Sequence, residues 1–429
     1  MAVSLKNKGS FLRCFTILAV LTCFVSAAAA SETGPIEPDT NTTYDNGYFT
    51  SQNAVESLLA SDRRKMRKED ISKRYKSWKA SLKKDDGFDF GIDYHVVGFH
   101  ATASNGDKDA TSGVVRLFGN WELVGRGTEN SGSLVFKVEH RQAYTAVSPV
   151  DFGAEVGYAG LFQSTFSDQK GRLTNLYWKQ NLLDSRMMVY AGFLDVTDYV
   201  DVYLMASPWD GFGNLVFATG SATIGSLPDG ALGVMASGWL TDKMYVVAGI
   251  ADANPDQKKP FDGFNTLFEE GETFKSLEFG WTTSKERLFF DNFHLTLWQV
   301  DEREKAGIPS GKGLSFSLVK TLNENMMAFL RGGRSDGSGS ILETSVSAGI
   351  GYLQPEYNNN VLGVGLNWGQ PNKEVYGDDA EDQGTMEVFY RVNTKYFQIT
   401  PSLQVIVNPV SNTDKNVVAV FGLRLGTQF

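Results

Sequence analysis

Residues 417–429 read VVAVFGLRLGTQF, and they sort into two sets when taken alternately. Val417, Ala419, Phe421, Leu423, Leu425, Thr427 and Phe429 form one set, mostly large and apolar. Val418, Val420, Gly422, Arg424, Gly426 and Gln428 form the other, mostly small or polar. A period of two marks a β-strand, with one face suited to an apolar medium and the other to a polar interior.

The opposite end of the chain carries an export signal. Lys6, Lys8 and Arg13 precede a short apolar run at 15–25, and the small residues 27–30 suit a cut near Ala30–Ser31. Thr22 before Cys23 is bulkier than the residue that precedes a lipidated cysteine. Residues 1–30 therefore read as a cleaved signal peptide. Cys14 and Cys23 both leave with it, so the exported chain holds no disulfide. Cleavage removes three of 40 basic residues and none of the 50 acidic ones, leaving 37 against 50. That balance argues against a nucleic-acid partner. No apolar run in the exported chain reaches the ~18 residues of a spanning helix.

Residues 31–52 form a polar leader with Pro35 and Pro38. At 53–86 the pattern turns helical: Val55, Leu58, Leu59, Met66, Ile71, Tyr75, Trp78 and Leu82 recur among many Lys and Arg. The spacing predicts a basic amphipathic helix ending near Asp85-Asp86-Gly87. It is expected to rest in the periplasm on a barrel mouth or another copy, with peptidoglycan or anionic lipid as further partners.

From Phe88 onward the period is two. Alternation recurs at 88–97, 112–125, 132–142, 151–161, 172–182, 186–196, 231–240, 243–251, 274–283, 289–300, 312–321, 326–333, 343–353, 359–368, 385–392, 395–407 and 415–429, with a weaker run at 214–219. Each is about ten residues, enough for a tilted strand to cross a bilayer. Shared over sixteen strands, residues 88–429 allow roughly 21 per strand and connection. The fold class expected is all-β: a transmembrane antiparallel barrel over 87–429, of about 16 strands with 18 possible. Short links such as 183–185, 241–242 and 393–394 would face the periplasm. Long ones such as 197–213, 252–273, 301–311 and 369–384 would face outward, and any of them can fold in to narrow the pore. Such a barrel implies outer-membrane lipid and lipopolysaccharide as surroundings, and assembly machinery that reads Phe429.

Parity places Arg116, Glu122, Lys137, Glu139, Arg141 and Glu155 in the lumen, the last on the strand expected at 151–161. Charges on a lipid face would cost several kcal/mol, so the lumen is favoured. Mixed signs suit neutral polyols, whose hydroxyls both donate and accept, whereas a single-sign ring would select ions. The same charges also suit a ladder that braces the wall. Trp298 and His294 share the inward parity, and an aromatic face there can stack on a sugar ring. Trp209 in its long loop is a further aromatic of this kind. For Tyr177 and Trp178 the parity is ambiguous. Glu278, Arg331, Glu387, Arg391, Gln404 and Arg424 add polar groups on later strands. The four histidines show no metal-ligand spacing, so neither enzyme nor cofactor is expected.

Several stretches resemble the OprB-like carbohydrate-selective porins. They include 125–127 (GRG) with 130–141 (NSGSLVFKVEHR), 177–182 (YWKQNL), 191–202 (AGFLDVTDYVDV), 217–225 (FATGSATIG) and 240–255 (LTDKMYVVAGIADANP). Further matches are 261–264, 279–284 (FGWTTS), 295–303 (LTLWQVDER), 363–371 (GVGLNWGQP), 387–391 and 399–409 (ITPSLQVIVNP). The resemblance implies a barrel, usually of sixteen strands, that passes mono- and small oligosaccharides down their gradient. A porin for ions or other small solutes, and a non-transport barrel acting as enzyme or cell-wall tether, are the other readings open to this sequence.

Overall fold

The computed structural model describes residues 73–429 apart from Ser338, 355–358, Lys395 and Phe429, with backbone alone at 73–76. The expected signal and leader, most of the expected basic helix and the terminal Phe429 lie outside the described residues. Sixteen strands make the wall. They are β1 (Phe88–Ala101), β2 (Asp109–Val124), β3 (Gly132–Ala143), β4 (Lys170–Leu182), β5 (Met187–Leu194) and β6 (Ala231–Trp239). Next come β7 (Met244–Asp252), β8 (Thr273–Thr282), β9 (Asp291–Val300), β10 (Gly311–Asn323) and β11 (Met326–Gly337). The last are β12 (Leu342–Gln354), β13 (Asn360–Pro371), β14 (Gln383–Asn393), β15 (Gln398–Val407) and β16 (Val417–Gln428).

Each strand pairs antiparallel with its predecessor, and β16 closes on β1 from Asp93↔Gln428 to Ala101↔Val420. Closure leaves no free edge, which a lipid-embedded sheet requires. Alternation then separates the faces. On β16, Phe421 and Leu423 are 54% and 47% exposed on the outer wall, while Arg424 between Leu423 and Leu425 is 5% exposed in the lumen. Val115, Leu117 and Trp121 on β2 and Leu314 and Leu318 on β10 continue the apolar exterior.

Two expected strands are absent. Residues 151–161 hold a short helix, α1 (Phe152–Val156), ended by Gly157 at φ 82°. Its alternating Phe152, Val156 and Tyr158 are buried because the long β3–β4 connection folds into the barrel. Residues 214–219 form tight 3₁₀ turns inside the β5–β6 connection. Removing these two runs brings eighteen candidates to sixteen. The doubtful parity of 173–180 also has a cause. Lys137 pairs with Asn175 and Val138 with Leu173, so Thr174 is an extra residue. This bulge shifts the inward set from Arg172 to Tyr177 and Lys179, and turns Trp178 outward.

Before the barrel, a helix at Lys73–Ser81 passes into a single wider turn at Leu82–Asp86, and Gly87 at φ 72° releases the chain into β1. Its end stands at the rim of the short connections. Trp78 meets the outward Phe90 edge-on at 6.0 Å, and the Trp121 indole donates to the Asp86 carbonyl at 3.1 Å.

Candidate functional site: a paired-charge vestibule in the lumen

The connection at 195–230 folds into the barrel beside the β3–β4 connection, and the inward polar residues of the later strands hold it there. Asp201 accepts from Arg331 at 2.6 Å, from His294 Nε2 at 2.8 Å and from the Gly220 amide at 2.5 Å. Burial alone would raise its pKa. The Arg331 and His294 contacts outweigh that and hold the Asp201 carboxyl below the usual range. Further along, Glu387 accepts from the amides of Gly213 and Asn214 at 2.8 and 2.9 Å. Arg424 donates to the carbonyls of Pro208 and Gly211, both at 2.9 Å. Arg391 donates to the Asp210 carbonyl, Glu278 accepts from the Asp201 amide, and Gln404 accepts from Asn214 Nδ2. All six polar groups expected on the later strands therefore bind this loop, as does His294.

Glycines on the facing wall give the loop room. A Cβ on Gly333 would meet Thr223 Oγ1 at 2.1 Å, and one on Gly365 would meet Phe217 at 2.8 Å. Their missing side chains allow close approach of a second layer inside the wall.

On the other side the loop faces a ladder of charges on β1 to β4. Arg116 donates to both oxygens of Asp93, at 3.0 and 2.7 Å. Arg141 grips one oxygen of Glu139 through two nitrogens, at 2.8 and 2.5 Å. Lys137 reaches Asp198 at 3.3 Å, and Arg172 reaches Asp229 at 2.5 Å, both acids being on the loop. Between ladder and loop lies a cavity of about 320 Å³, lined by Arg116, Lys137 and Arg141 on one side and Asp195, Asp198 and Trp209 on the other. That volume lies within the roughly 300–1,000 Å³ of small-molecule sites. Burial, with Asp229 and Asp198 close by, pushes the Asp195 carboxyl well above the ordinary range.

The expected site residues divide. Arg116, Lys137, Glu139 and Arg141 converge on this cavity. Glu122 lies inward but near the short-connection rim, where it accepts from the Gly127 amide at 3.3 Å. Glu155 is not on a lumenal strand: it sits on α1, accepts from the Asp107 amide at 3.0 Å and ties two exterior loops together. Trp298 is inward and buried, stacked on Phe274 at 6.4 Å away from the cavity. Trp209 lines the cavity, packed on the Arg116 guanidinium at 3.9 Å and on His95 at 4.8 Å. Asp195, Asp198 and Asp229 had no place among the sequence candidates. The signal for Asp195 and Asp198 was their place in the 191–202 stretch, and Asp229 had none.

A closed sixteen-strand barrel, apolar outside and lined by a polar vestibule, is an outer-membrane porin. The family model described as carbohydrate-selective porin, OprB family, matches residues 99–310 and 312–429, and the chain belongs to that family. A high-pH structure of Pseudomonas putida OprB matches with TM-score 0.66 and 16% identity, over 83% of this chain and 97% of that one. An engineered Rh. blastica porin matches with TM-score 0.51 and 8% identity, over 80% and 100%. No curated protein matches the sequence. The protein is thus a passive channel for carbohydrates across the outer membrane, not an enzyme.

Proposed function

We propose that the vestibule between the β1–β4 ladder and loop 195–230 is the sugar filter. One observation carries the reading: the 320 Å³ cavity is lined by donors and acceptors of both signs. Each sugar hydroxyl can donate to a carboxylate and accept from a guanidinium in the same place. A small ion meets paired charges there, not a ring of one sign. Arg116, Lys137, Glu139 and Arg141 then have two roles, bracing wall and loop and presenting their outer lone pairs and N–H groups to the solute. The export route follows the same reading: a signal cleaved near Ala30–Ser31, with Phe429 recognised during barrel assembly.

The test is conductance of the purified protein in a planar bilayer, titrated first with glucose and then with maltose. Saturable block by sugar supports a site in the filter. An open channel without block assigns the cavity to ions or other small solutes, and a folded protein without conductance overturns the filter altogether.

A further inference from the structure

The outer wall of β8 to β11 carries two registered rows near the exterior rim. The upper row is Lys275, Gln299, Lys312 and Asp336, each opposite the next. The row below is Leu277, Leu297, Leu314 and Arg334. These rows enclose a shallow groove of about 600 Å³. Lys275 shares its charge with Asp301 at 3.0 Å. Lys312 and Arg334 are exposed and have no ion pair among the described residues, and Asp336 stands opposite Lys312 without pairing to it.

We propose that this groove binds the phosphorylated head of an outer-leaflet glycolipid. The three leucines continue the lipid-facing belt, so an acyl chain can lie along them while the head reaches the charged row. At that level an ammonium supplies a point charge, and a guanidinium supplies a fork that fits two phosphate oxygens. Lys275 and Lys312 stand two strands apart, roughly 10 Å, so the cationic row spans a saccharide head. The binding site needs the barrel's orientation in the membrane and is independent of what passes through the lumen.

The full exported chain, purified in detergent, is titrated with diphosphoryl lipid A or with phosphatidylglycerol and examined by native mass spectrometry. Lipid A should be retained over phosphatidylglycerol. Lys312→Glu with Arg334→Glu should weaken its retention about tenfold or more, since each basic group near a charged lipid surface contributes about 1 kcal/mol. Lys415→Glu, a single charge reversal on the β15–β16 connection, should leave it unchanged. Where the double variant does not fold, Lys312→Gln and Arg334→Gln singly should each show part of the loss. Equal retention of lipid A by wild type and variants, or equal retention of the two lipids by wild type, overturns the site.

Discussion

Replacing Arg331 by Met should release the middle of the β5–β6 loop while leaving the barrel closed. The Arg331 side chain is fully buried and donates to the Asp201 carboxylate, to the carbonyls of Asp201 and Ala218 at 3.2 Å each, and to Ser317 at 2.6 Å. It also lies on the Tyr203 ring at 3.9 Å. Met keeps the apolar stem and removes every one of these donors. Asp201 is left as a buried carboxylate with His294 and one amide, a loss of about 3–5 kcal/mol. That lowers the docked-to-undocked ratio of this part of the loop by roughly two to four powers of ten. The wall persists because β11 keeps its backbone ladders to β10 and β12. The expected result is larger single-channel conductance, weaker sugar block and protease cleavage within 195–230, in a protein that still shows the heat-dependent gel shift of a folded barrel. Adding Asp201→Asn removes the stranded charge and should partly restore docking. Because the Asp201 carboxyl titrates lower in the folded state than unfolded, its contribution is present above the ordinary carboxylate range and is lost as pH falls. Acid should therefore loosen the wild-type loop in the same sense. Wild-type conductance and sugar block in folded Arg331→Met would refute the staple.

Other substitutions separate the remaining roles. Arg116→Ala and Glu139→Ala should weaken maltose block without unfolding the barrel, and Glu139→Ala, which leaves Arg141 and Arg172 sharing Asp229, should also shift the reversal potential toward anions. If both variants block like wild type, these charges only brace the wall. Burial and its acidic neighbours raise the Asp195 pKa well above the ordinary carboxylate range, so it gains its charge at higher pH than an ordinary carboxylate does. Facing Lys137 and Arg141 across the cavity and Asp198 and Asp229 beside it, the new charge should raise cation preference and weaken loop docking. Asp195→Asn should flatten that pH dependence in a salt-gradient reversal measurement. Glu155→Gln should cost about 1 kcal/mol locally, seen as faster amide exchange at 102–108, with unchanged sugar block.

Strand faces were legible because lipid and lumen demand opposite side chains at every second residue. Arg116, Lys137, Glu139 and Arg141 fell inward on that logic alone. The same logic misled at 151–161, where Phe152, Ala154, Val156 and Tyr158 alternate but their burial comes from a loop tucked inside, a tertiary fact with no local period. Thr174 shows a second limit, since one bulged residue reverses parity for the rest of β4. The partners of the charges were illegible for a simpler reason: Lys137 meets Asp198 and Arg331 meets Asp201 across 61 and 130 residues. No spacing rule joins positions so far apart. The abundance of glycine on inward faces was visible, but its use at Gly333 and Gly365 depends on the loop packed against them.

Lys137 and Arg172 precede loop 195–230, but its other anchors come from β8, β9, β11, β14, β15 and β16, all later in the chain than the loop itself. The last of them, Arg424, belongs to the strand that seals the wall against β1. During assembly the filter therefore cannot be finished before the seam is shut. A chain arrested short of its final strand lacks both the seal and the last grip on its own constriction. In the proposed filter, the strand that makes the membrane tight again is also the strand that completes the constriction.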